Sequence, residues 1–126
     1  MKKYECIIGI GSNIEPEQNI AAALFFLRQE QEFVAVSSLI NTSPIGITDQ
    51  PDFMNGAAKV FTEMELADFN SYLKGIEDRL KRDRTAPKNG PRTIDLDIVK
   101  WDGEIIDPDY YSRDFLRVAI DEISLT

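Results

Sequence analysis

The hydrophobic pattern of the 126-residue chain predicts four β-strands and two α-helices. Apolar residues alternate with polar ones, or form short runs, in the segments 4–10, 33–40, 53–62 and 91–101, which we interpret as strands. Helical spacing of apolar residues predicts one helix from Pro16 to about Gln31. A second helix is predicted from the apolar stripe Leu66, Phe69, Leu73, Ile76 and Leu80. After Trp101 neither period lasts long enough to predict an element.

The order β-α-β-β-α-β is that of the ferredoxin-like plan. It predicts an α+β fold with an antiparallel sheet and both helices on one face, which leaves the other face of the sheet free. A chain of this length with 43% hydrophobic residues can form one compact core, so we expect a single domain over residues 1–126.

Local signals add detail to the predicted strands. Gly9 and Gly11 predict a turn after the first strand, and Gly56 predicts a bulge or a close approach within the third. Thr62 and Glu65 have the spacing of a capping box at the start of the second helix. The only cysteine, Cys6, lies in an apolar run and is predicted to be a buried thiol.

The last predicted strand, PRTIDLDIVKW, carries two carboxylates on one face. Its apolar residues Ile94, Leu96 and Ile98 share one side, and Asp95 and Asp97 share the other. Alone, this pattern fits a half-buried edge strand whose polar face meets water. Residues two apart rise by roughly 6.6 Å, so the two aspartates can instead hold one ion or an adjacent pair of ions.

The chain is acidic overall but contains one basic segment. Fourteen basic and 22 acidic residues give a net charge of −8, which disfavours broad attraction to nucleic acid or anionic membranes. Residues 79–92 nevertheless contain six cations and one acid, Asp83, a local charge of +5. The cations are Arg79, Lys81, Arg82, Arg84, Lys88 and Arg92. A helix end would explain the first three, but not those in the loop before the two aspartates.

The absence of histidine removes the commonest general base and any histidine-ligated zinc. GIGSNI has Ile14 where a dinucleotide-binding motif needs glycine, and no GxxxxGK[ST] occurs. Two carboxylates near several arginines fit Mg²⁺-assisted phosphate transfer. No apolar run has membrane-spanning length and the N-terminal segment lacks a signal-peptide core, so we expect a cytoplasmic protein.

Four motifs, GIGSN, TSPIGITDQPDFMN, IEDRLKRDR and PRTIDLDI, resemble in order and spacing those of the 6-hydroxymethyl-7,8-dihydropterin pyrophosphokinase family. The resemblance covers approximately residues 4–106 and implies a ferredoxin-like core. It implies transfer of pyrophosphate from ATP to the pterin hydroxymethyl oxygen, releasing AMP, in folate biosynthesis. Two Mg²⁺ ions are the implied cofactors and ATP the co-substrate. We expect small-molecule partners, no nucleic acid or membrane partner, and a monomer, with an oligomer as the alternative.

The resemblance also implies roles for individual residues. Asp95 and Asp97 would hold the metal, and Arg82 and Arg92 would brace the transferring phosphates. The implied nucleotide-binding residues are Lys74, Glu77, Arg84, Ile98 and Arg113, with Arg84 on a mobile loop. The implied pterin-binding residues are Thr42, Pro44, Ile45, Phe53, Asn55 and Phe115, with Phe53 and Phe115 stacking on the ring. Structural alternatives remain: Phe53 in the core, Asn55 in a turn, Thr42 at a strand end, and Glu77 solvated on its helix.

The C-terminal part departs from the family pattern. Family members are longer and carry a histidine near the ATP, where Asp109 or the nearby tyrosines lie in this chain. Asn89 stands where the mobile loop often has an aromatic residue. Two functional classes therefore fit: a shortened pyrophosphokinase, or a divergent relative that binds a pterin or nucleotide without efficient transfer, as a regulatory module or on another substrate. The retained aspartates and arginines favour the enzyme, because pterin binding alone needs no polyphosphate clamp.

Overall fold

The structure, a computed structural model, describes residues 2–87 and 90–126. Its strands are β1 (Tyr4–Ser12), β2 (Glu32–Val36), β3 (Ile40–Thr42), β4 (Phe53–Thr62), β5 (Asp95–Trp101) and β6 (Glu104–Ile105). Its helices are α1 (Pro16–Glu30), α2 (Leu66–Arg79), α3 (Asp109–Ser112) and α4 (Asp114–Ile123). Every strand pair in this part of the chain is antiparallel. The predicted combination of helices with an antiparallel sheet is confirmed.

Strand β1 lies at the centre of the sheet. The strand order is β2-β4-β1-β5-β6, and β3 pairs with β4 as well. Cys6 of β1 pairs with Val60 of β4 on one side and with Trp101 of β5 on the other. Its side chain is fully buried, so the prediction of a buried thiol is confirmed.

Helices α1 and α2 contribute to one hydrophobic cluster together with alternate residues of β1. Ile8 of β1, Leu27 of α1 and Leu73 of α2 are all fully buried there. Ile7, the neighbour of Ile8 along the strand, belongs instead to a second cluster that contains Ile120 of α4. Because successive residues of a strand point to opposite faces, α4 covers the face opposite this first cluster. The prediction that this face is free is therefore wrong.

The predicted second strand is divided into two short strands. Ser37, which follows β2, donates its backbone N–H to Ala57 O at 2.8 Å, and its Oγ accepts the N–H of Ala57 at 2.8 Å. The hydroxyl of Ser37 thus accepts a hydrogen bond that a backbone carbonyl would otherwise accept in the sheet. Regular backbone pairing with β4 resumes only at Ile40 of β3.

The predicted fourth strand begins later than expected. Pro91 has no N–H to donate, and Arg92 donates its N–H to Asn13 Oδ1 at 2.9 Å rather than to a ladder partner. Regular pairing therefore starts at Asp95.

The turn predicted at Gly9 and Gly11 is wrong. Strand β1 continues through both glycines to Ser12, because it pairs with β4 along that whole length. The close approach predicted at Gly56 is confirmed, since a Cβ there would lie 2.4 Å from Leu39 Cδ2.

The predicted capping box does not form. Thr62 is the last residue of β4, and its Oγ1 accepts the N–H of Met64 at 3.1 Å. Glu65 precedes α2, but its carboxylate accepts the hydroxyl of Tyr4 at 2.9 Å. A local bond to Met64 occupies Thr62, and a tertiary contact with Tyr4 occupies Glu65, so neither side chain completes the capping box.

The chain after Trp101 forms β6 and the two short helices α3 and α4. In α4, apolar residues at helical spacing are buried against the sheet: Leu116, Ala119, Ile120 and Ile123. Within the described ranges, no helix combines the length and apolar character needed to cross a membrane.

Candidate active site

A cavity of about 660 Å³ brings together residues from distant parts of the chain. Its size is typical of small-molecule sites. Twelve of the sequence-predicted site residues line it: Thr42, Ile45, Phe53, Asn55, Lys74, Arg82, Arg84, Arg92, Asp95, Asp97, Arg113 and Phe115. The predicted metal, phosphate and pterin residues therefore face one space.

Three predicted residues do not line this cavity. The side chain of Ile98 is 8% exposed and packs in the cluster that contains α1 and α2. Glu77 is fully buried beside the cavity, and Pro44 is not among the lining residues.

Two glycines of the central strand β1 contribute backbone to the cavity lining. Gly11 pairs with Asn55 of β4 on one side and with Asp95 of β5 on the other. Gly9 pairs with Asp97 of β5. Both glycines line the cavity, so the central strand adds no side chain between Asn55 and the two carboxylates. Sequence interpretation missed these two glycines as site residues.

Asp95 lies between two guanidinium groups. Its Oδ1 is 3.0 Å from Arg82 Nη1, and its Oδ2 is 3.3 Å from Arg92 Nη1. The Arg92 guanidinium also lies 5.7 Å from the ring centroid of Phe53, within cation–π range. Arg92 therefore connects the carboxylate region of the cavity with its aromatic wall.

The carboxyl group of Asp97 is strongly perturbed by its surroundings. Burial and the nearby charge of Asp95 raise the pKa of Asp97 to about 7, while Lys74, whose Nζ is 3.8 Å from Oδ1, acts in the opposite direction. Two carboxylates that repel one another would be stabilised by a bound cation.

The donor set fits Mg²⁺, which takes one or two carboxylates and completes its shell with water and substrate phosphates. In the described part of the chain, no group of three or more potential ligand side chains occurs. Asp95 and Asp97 line the cavity together, and their role as metal ligands stays a prediction.

Glu77 is a buried carboxylate that joins three cations to β5. Its Oε2 accepts the N–H of Leu96 at 2.8 Å and lies 2.9 Å from Arg82 Nη1. Its Oε1 lies 3.0 Å from Arg84 Nη1 and 3.6 Å from Lys74 Nζ. The alternative that Glu77 is a solvated helix residue is wrong. Buried charges require such partners, and here the partners are the cations that face the cavity.

Arg84 is held against α2. It donates to the backbone O of Lys74 at 3.0 Å, and its Nη2 lies 3.0 Å from Asp78 Oδ1. The motion of the loop that carries Arg84 stays a prediction. Lys88 and Asn89, two other residues named from the sequence, lie outside the described residues.

Asn55 lies within β4, so the alternative that it is a turn residue is wrong. Its Nδ2 donates a short hydrogen bond to Thr42 Oγ1. Thr42 is the last residue of β3 and pairs with Phe53, which lines the cavity and is only half-buried. Asn55, Thr42 and Phe53 thus form one polar and aromatic wall.

Asn13 connects three segments around the cavity and was missed from the sequence. It is 4% exposed. Its Oδ1 accepts the N–H of Arg92 at 2.9 Å, and its Nδ2 donates to Gln50 Oε1 at 2.8 Å and to Pro51 O at 3.1 Å. A lone asparagine after a strand carries no periodic signal, and only the tertiary structure shows these bonds.

Comparison with known proteins identifies the family. A sequence profile described as 7,8-dihydro-6-hydroxymethylpterin-pyrophosphokinase matches residues 7–125. The chain belongs to this pyrophosphokinase family. The resemblance inferred from the four motifs is confirmed.

Several proteins named 2-amino-4-hydroxy-6-hydroxymethyldihydropteridine pyrophosphokinase are similar to this member of the pyrophosphokinase family. The Haemophilus influenzae protein is 34% identical over 128 residues, covering 93% of this chain and 79% of that protein. The Bacillus subtilis protein is 33% identical over 127 residues, covering 92% of this chain and 75% of that protein. The Pseudomonas aeruginosa protein is 40% identical over 103 residues, and this chain spans 63% of its length.

The C-terminal segment of this pyrophosphokinase family member forms part of the cavity wall. Asp107, Asp109, Arg113 and Phe115 all line the cavity. Arg113 Nε lies 3.4 Å from Asp109 Oδ2, so the two side chains form an ion pair. The C-terminal segment, whose sequence departs from the family motifs, therefore lines the same cavity as the predicted metal and pterin residues.

Proposed function

We propose that this chain transfers pyrophosphate from ATP to 6-hydroxymethyl-7,8-dihydropterin and releases AMP, as a step of folate biosynthesis. Family membership and the names of the similar proteins support this activity. The observation that carries the proposal is the shared cavity, in which Asp95 and Asp97 lie beside Arg82 and Arg92, across from Asn55. A pterin-binding module would not need the carboxylates and arginines together.

In the proposed reaction, the pterin hydroxymethyl oxygen attacks the β-phosphorus of ATP. The bond from that phosphorus to the oxygen bridging the α-phosphate breaks, and AMP leaves with the bridging oxygen. The hydroxyl proton is lost to solvent. Two Mg²⁺ ions, held by Asp95 and Asp97, would neutralise charge on the phosphate oxygens. Arg82 and Arg92 bind the phosphates that are transferred.

Binding residues position the two substrates in this proposal. Lys74, Arg84 and Arg113 bind the nucleotide. Phe53 and Phe115 stack on the pterin ring, and Asn55 recognises its polar edge by hydrogen bonds. Glu77 orients Arg82 and Arg84 from below the cavity, which follows from its ion pairs with both.

We also propose a topology, a domain assignment, an oligomeric state and a cellular compartment for this chain. The strand order β2-β4-β1-β5 and the shared cluster of α1 and α2 support a ferredoxin-like core with both helices on one face. We assign one pyrophosphokinase-like domain to residues 1–126, acting as a cytoplasmic monomer. The net charge of −8 supports small-molecule partners rather than nucleic acid.

The decisive experiment measures Mg²⁺-dependent release of AMP from ATP in the presence of the hydroxymethyl pterin. Asp95→Asn and Asp97→Asn should each lower the rate by about 100-fold or more, because the phosphate charge is then less well neutralised. Asp68→Asn is the matched control, since Asp68 is exposed on α2 and does not line the cavity. Its activity should equal that of the unmodified chain.

Two outcomes would contradict the proposed enzymatic activity. One is an unmodified chain that releases no more AMP than Asp95→Asn. The other is calorimetry that detects binding of the pterin but not of ATP. The second result would support the divergent binding module instead.

A further inference from the structure

Gly11 is closely approached by one side chain. A Cβ at Gly11 would lie 2.9 Å from Asn55 Oδ1 and 4.0 Å from Asn55 Cγ, and apart from its two chain neighbours no other described residue comes within 4 Å. Gly11 is not among the glycines with positive φ, so its backbone conformation is open to alanine. The requirement for glycine here therefore comes from Asn55 rather than from the backbone.

The amide of Asn55 is fixed on its other side by Thr42. Its Nδ2 donates to Thr42 Oγ1, and this bond turns Oδ1 toward β1. A methyl group at Gly11 would push Oδ1 away, and the amide could move only by weakening its bond to Thr42. The position of Asn55 thus depends on the absence of a side chain at Gly11.

We propose that Gly11 is a positioning residue that sets recognition of the pterin through the orientation of Asn55. This inference rests on the proposed function, in which Asn55 recognises the polar edge of the pterin. Gly11 pairs with Asn55 on one side and with Asp95 on the other, so it lies between the residues predicted to bind the pterin and the metal.

Other glycines supply contrasting variants. Gly75 lies in α2, and apart from its chain neighbours and the helix backbone no described residue comes within 4 Å of its Cβ position, so Gly75→Ala makes the same chemical change without a clash. Gly9 is unsuitable as a control, because its Cβ would meet Leu116 Cδ1 and Val99 Cγ2, both at 3.2 Å. That substitution would test the packing of α4.

The test compares Gly11→Ala and Gly75→Ala by steady-state KM for each substrate, calorimetric Kd for the pterin, and thermal unfolding. Gly11→Ala should weaken pterin binding about tenfold, the effect of losing one well-placed hydrogen bond. The KM for ATP should stay unchanged, and the unfolding temperature should fall by no more than a few degrees, because only the bond between Asn55 and Thr42 is weakened. Gly75→Ala should bind both substrates as the unmodified chain does.

A double-mutant cycle with Asn55→Ala separates this role from a general one. If Gly11 acts through Asn55, adding Gly11→Ala to Asn55→Ala should cause no further loss of pterin affinity. Three results would overturn the inference. The first is that the losses of pterin affinity from the two substitutions add, and the second is that Gly11→Ala leaves pterin affinity unchanged. The third is that Gly11→Ala weakens the binding of both substrates equally and also lowers the unfolding temperature by more than a few degrees. If the unmodified chain binds no pterin, the proposed function fails and this inference fails with it.

Discussion

The buried carboxylate of Glu77 accepts the backbone N–H of Leu96 at 2.8 Å. Leu96 lies between the two aspartates of β5, so this bond fixes helix α2 to the strand that carries them. The same carboxylate is paired with Arg82 and Arg84. Stability and site geometry therefore depend on one side chain.

Glu77→Ala should lower the free energy of unfolding by about 3 kcal/mol, because it leaves the N–H of Leu96 and two guanidinium groups without their buried partner. Glu77→Gln keeps an acceptor for Leu96 and should cost less. Urea unfolding of both variants measures the difference. Equal midpoints for Glu77→Ala and the unmodified chain would contradict this role.

Arg82→Ala should lower kcat for AMP release by about 100-fold, since Arg82 contacts both Asp95 and Glu77 at the cavity. Arg79 is the matched control from the same basic segment. Its guanidinium pairs with Glu30 and lies over the ring of Phe26, and it does not line the cavity. Arg79→Ala should retain full kcat. Similar losses in both variants would indicate that the segment acts only through its overall charge.

Tyr72→Phe should destabilise the protein at neutral pH but not in strong acid. The hydroxyl of Tyr72 and the guanidinium of Arg79 donate hydrogen bonds to Glu30 and lower the pKa of that carboxyl. A lowered folded-state pKa gives stability that is present above the ordinary glutamate pKa and is lost as the pH falls through the lowered value. Thermal unfolding of both proteins from pH 7 to pH 3 should show the gap closing. A gap that stays constant with pH would contradict the assignment.

Cys6 should resist thiol reagents in the folded protein. It is fully buried in β1, and burial raises the pKa of its thiol far above the usual range, so little thiolate forms at pH 8. Labelling with iodoacetamide, followed by mass spectrometry, should detect modification only after unfolding in guanidinium chloride. Rapid labelling of the native chain would show that β1 opens readily. The chain has one cysteine, so the site of labelling is unambiguous.

Two glycine substitutions should change stability in opposite directions. Gly56→Ala should destabilise by about 1 to 3 kcal/mol, because its Cβ would lie 2.4 Å from Leu39 Cδ2 and 3.3 Å from Ser38 O. Gly75→Ala should stabilise by about 0.5 to 1 kcal/mol, because it replaces a helical glycine whose Cβ would not clash with any described residue. Urea unfolding checks both, and a stable Gly56→Ala would show that Leu39 can repack.

Hydrophobic periodicity predicted the main strands and both long helices because each of them buries a regular stripe. It failed for α4, although Leu116, Ala119, Ile120 and Ile123 have helical spacing. The exposed Val118 lies between them and obscures the stripe. The packing of α4 on the sheet decides which of these residues are buried and leaves Val118 exposed, and this packing cannot be read from the sequence.

The aspartates and arginines of the site could be found from the sequence because charges of both signs are concentrated near one strand. Glu77 could be found only by resemblance, since a single glutamate on a helix is usually solvated. Its burial depends on Arg82 and Arg84 folding back from the loop. Gly9 and Gly11 were missed as site residues for a similar reason, because the role of Gly11 depends on its pairing with Asn55 in the sheet.

The central position of β1 also has a consequence for biosynthesis. Cys6 pairs with Val60 and with Trp101, so β1, which is synthesised before both partners, keeps one edge unpaired until β4 emerges and the other until β5 does. Such distant pairing favours slow folding. Until then its apolar residues remain available to other nascent chains. Premature termination before Asp95 would leave an open edge on β1, and such fragments should aggregate or be degraded.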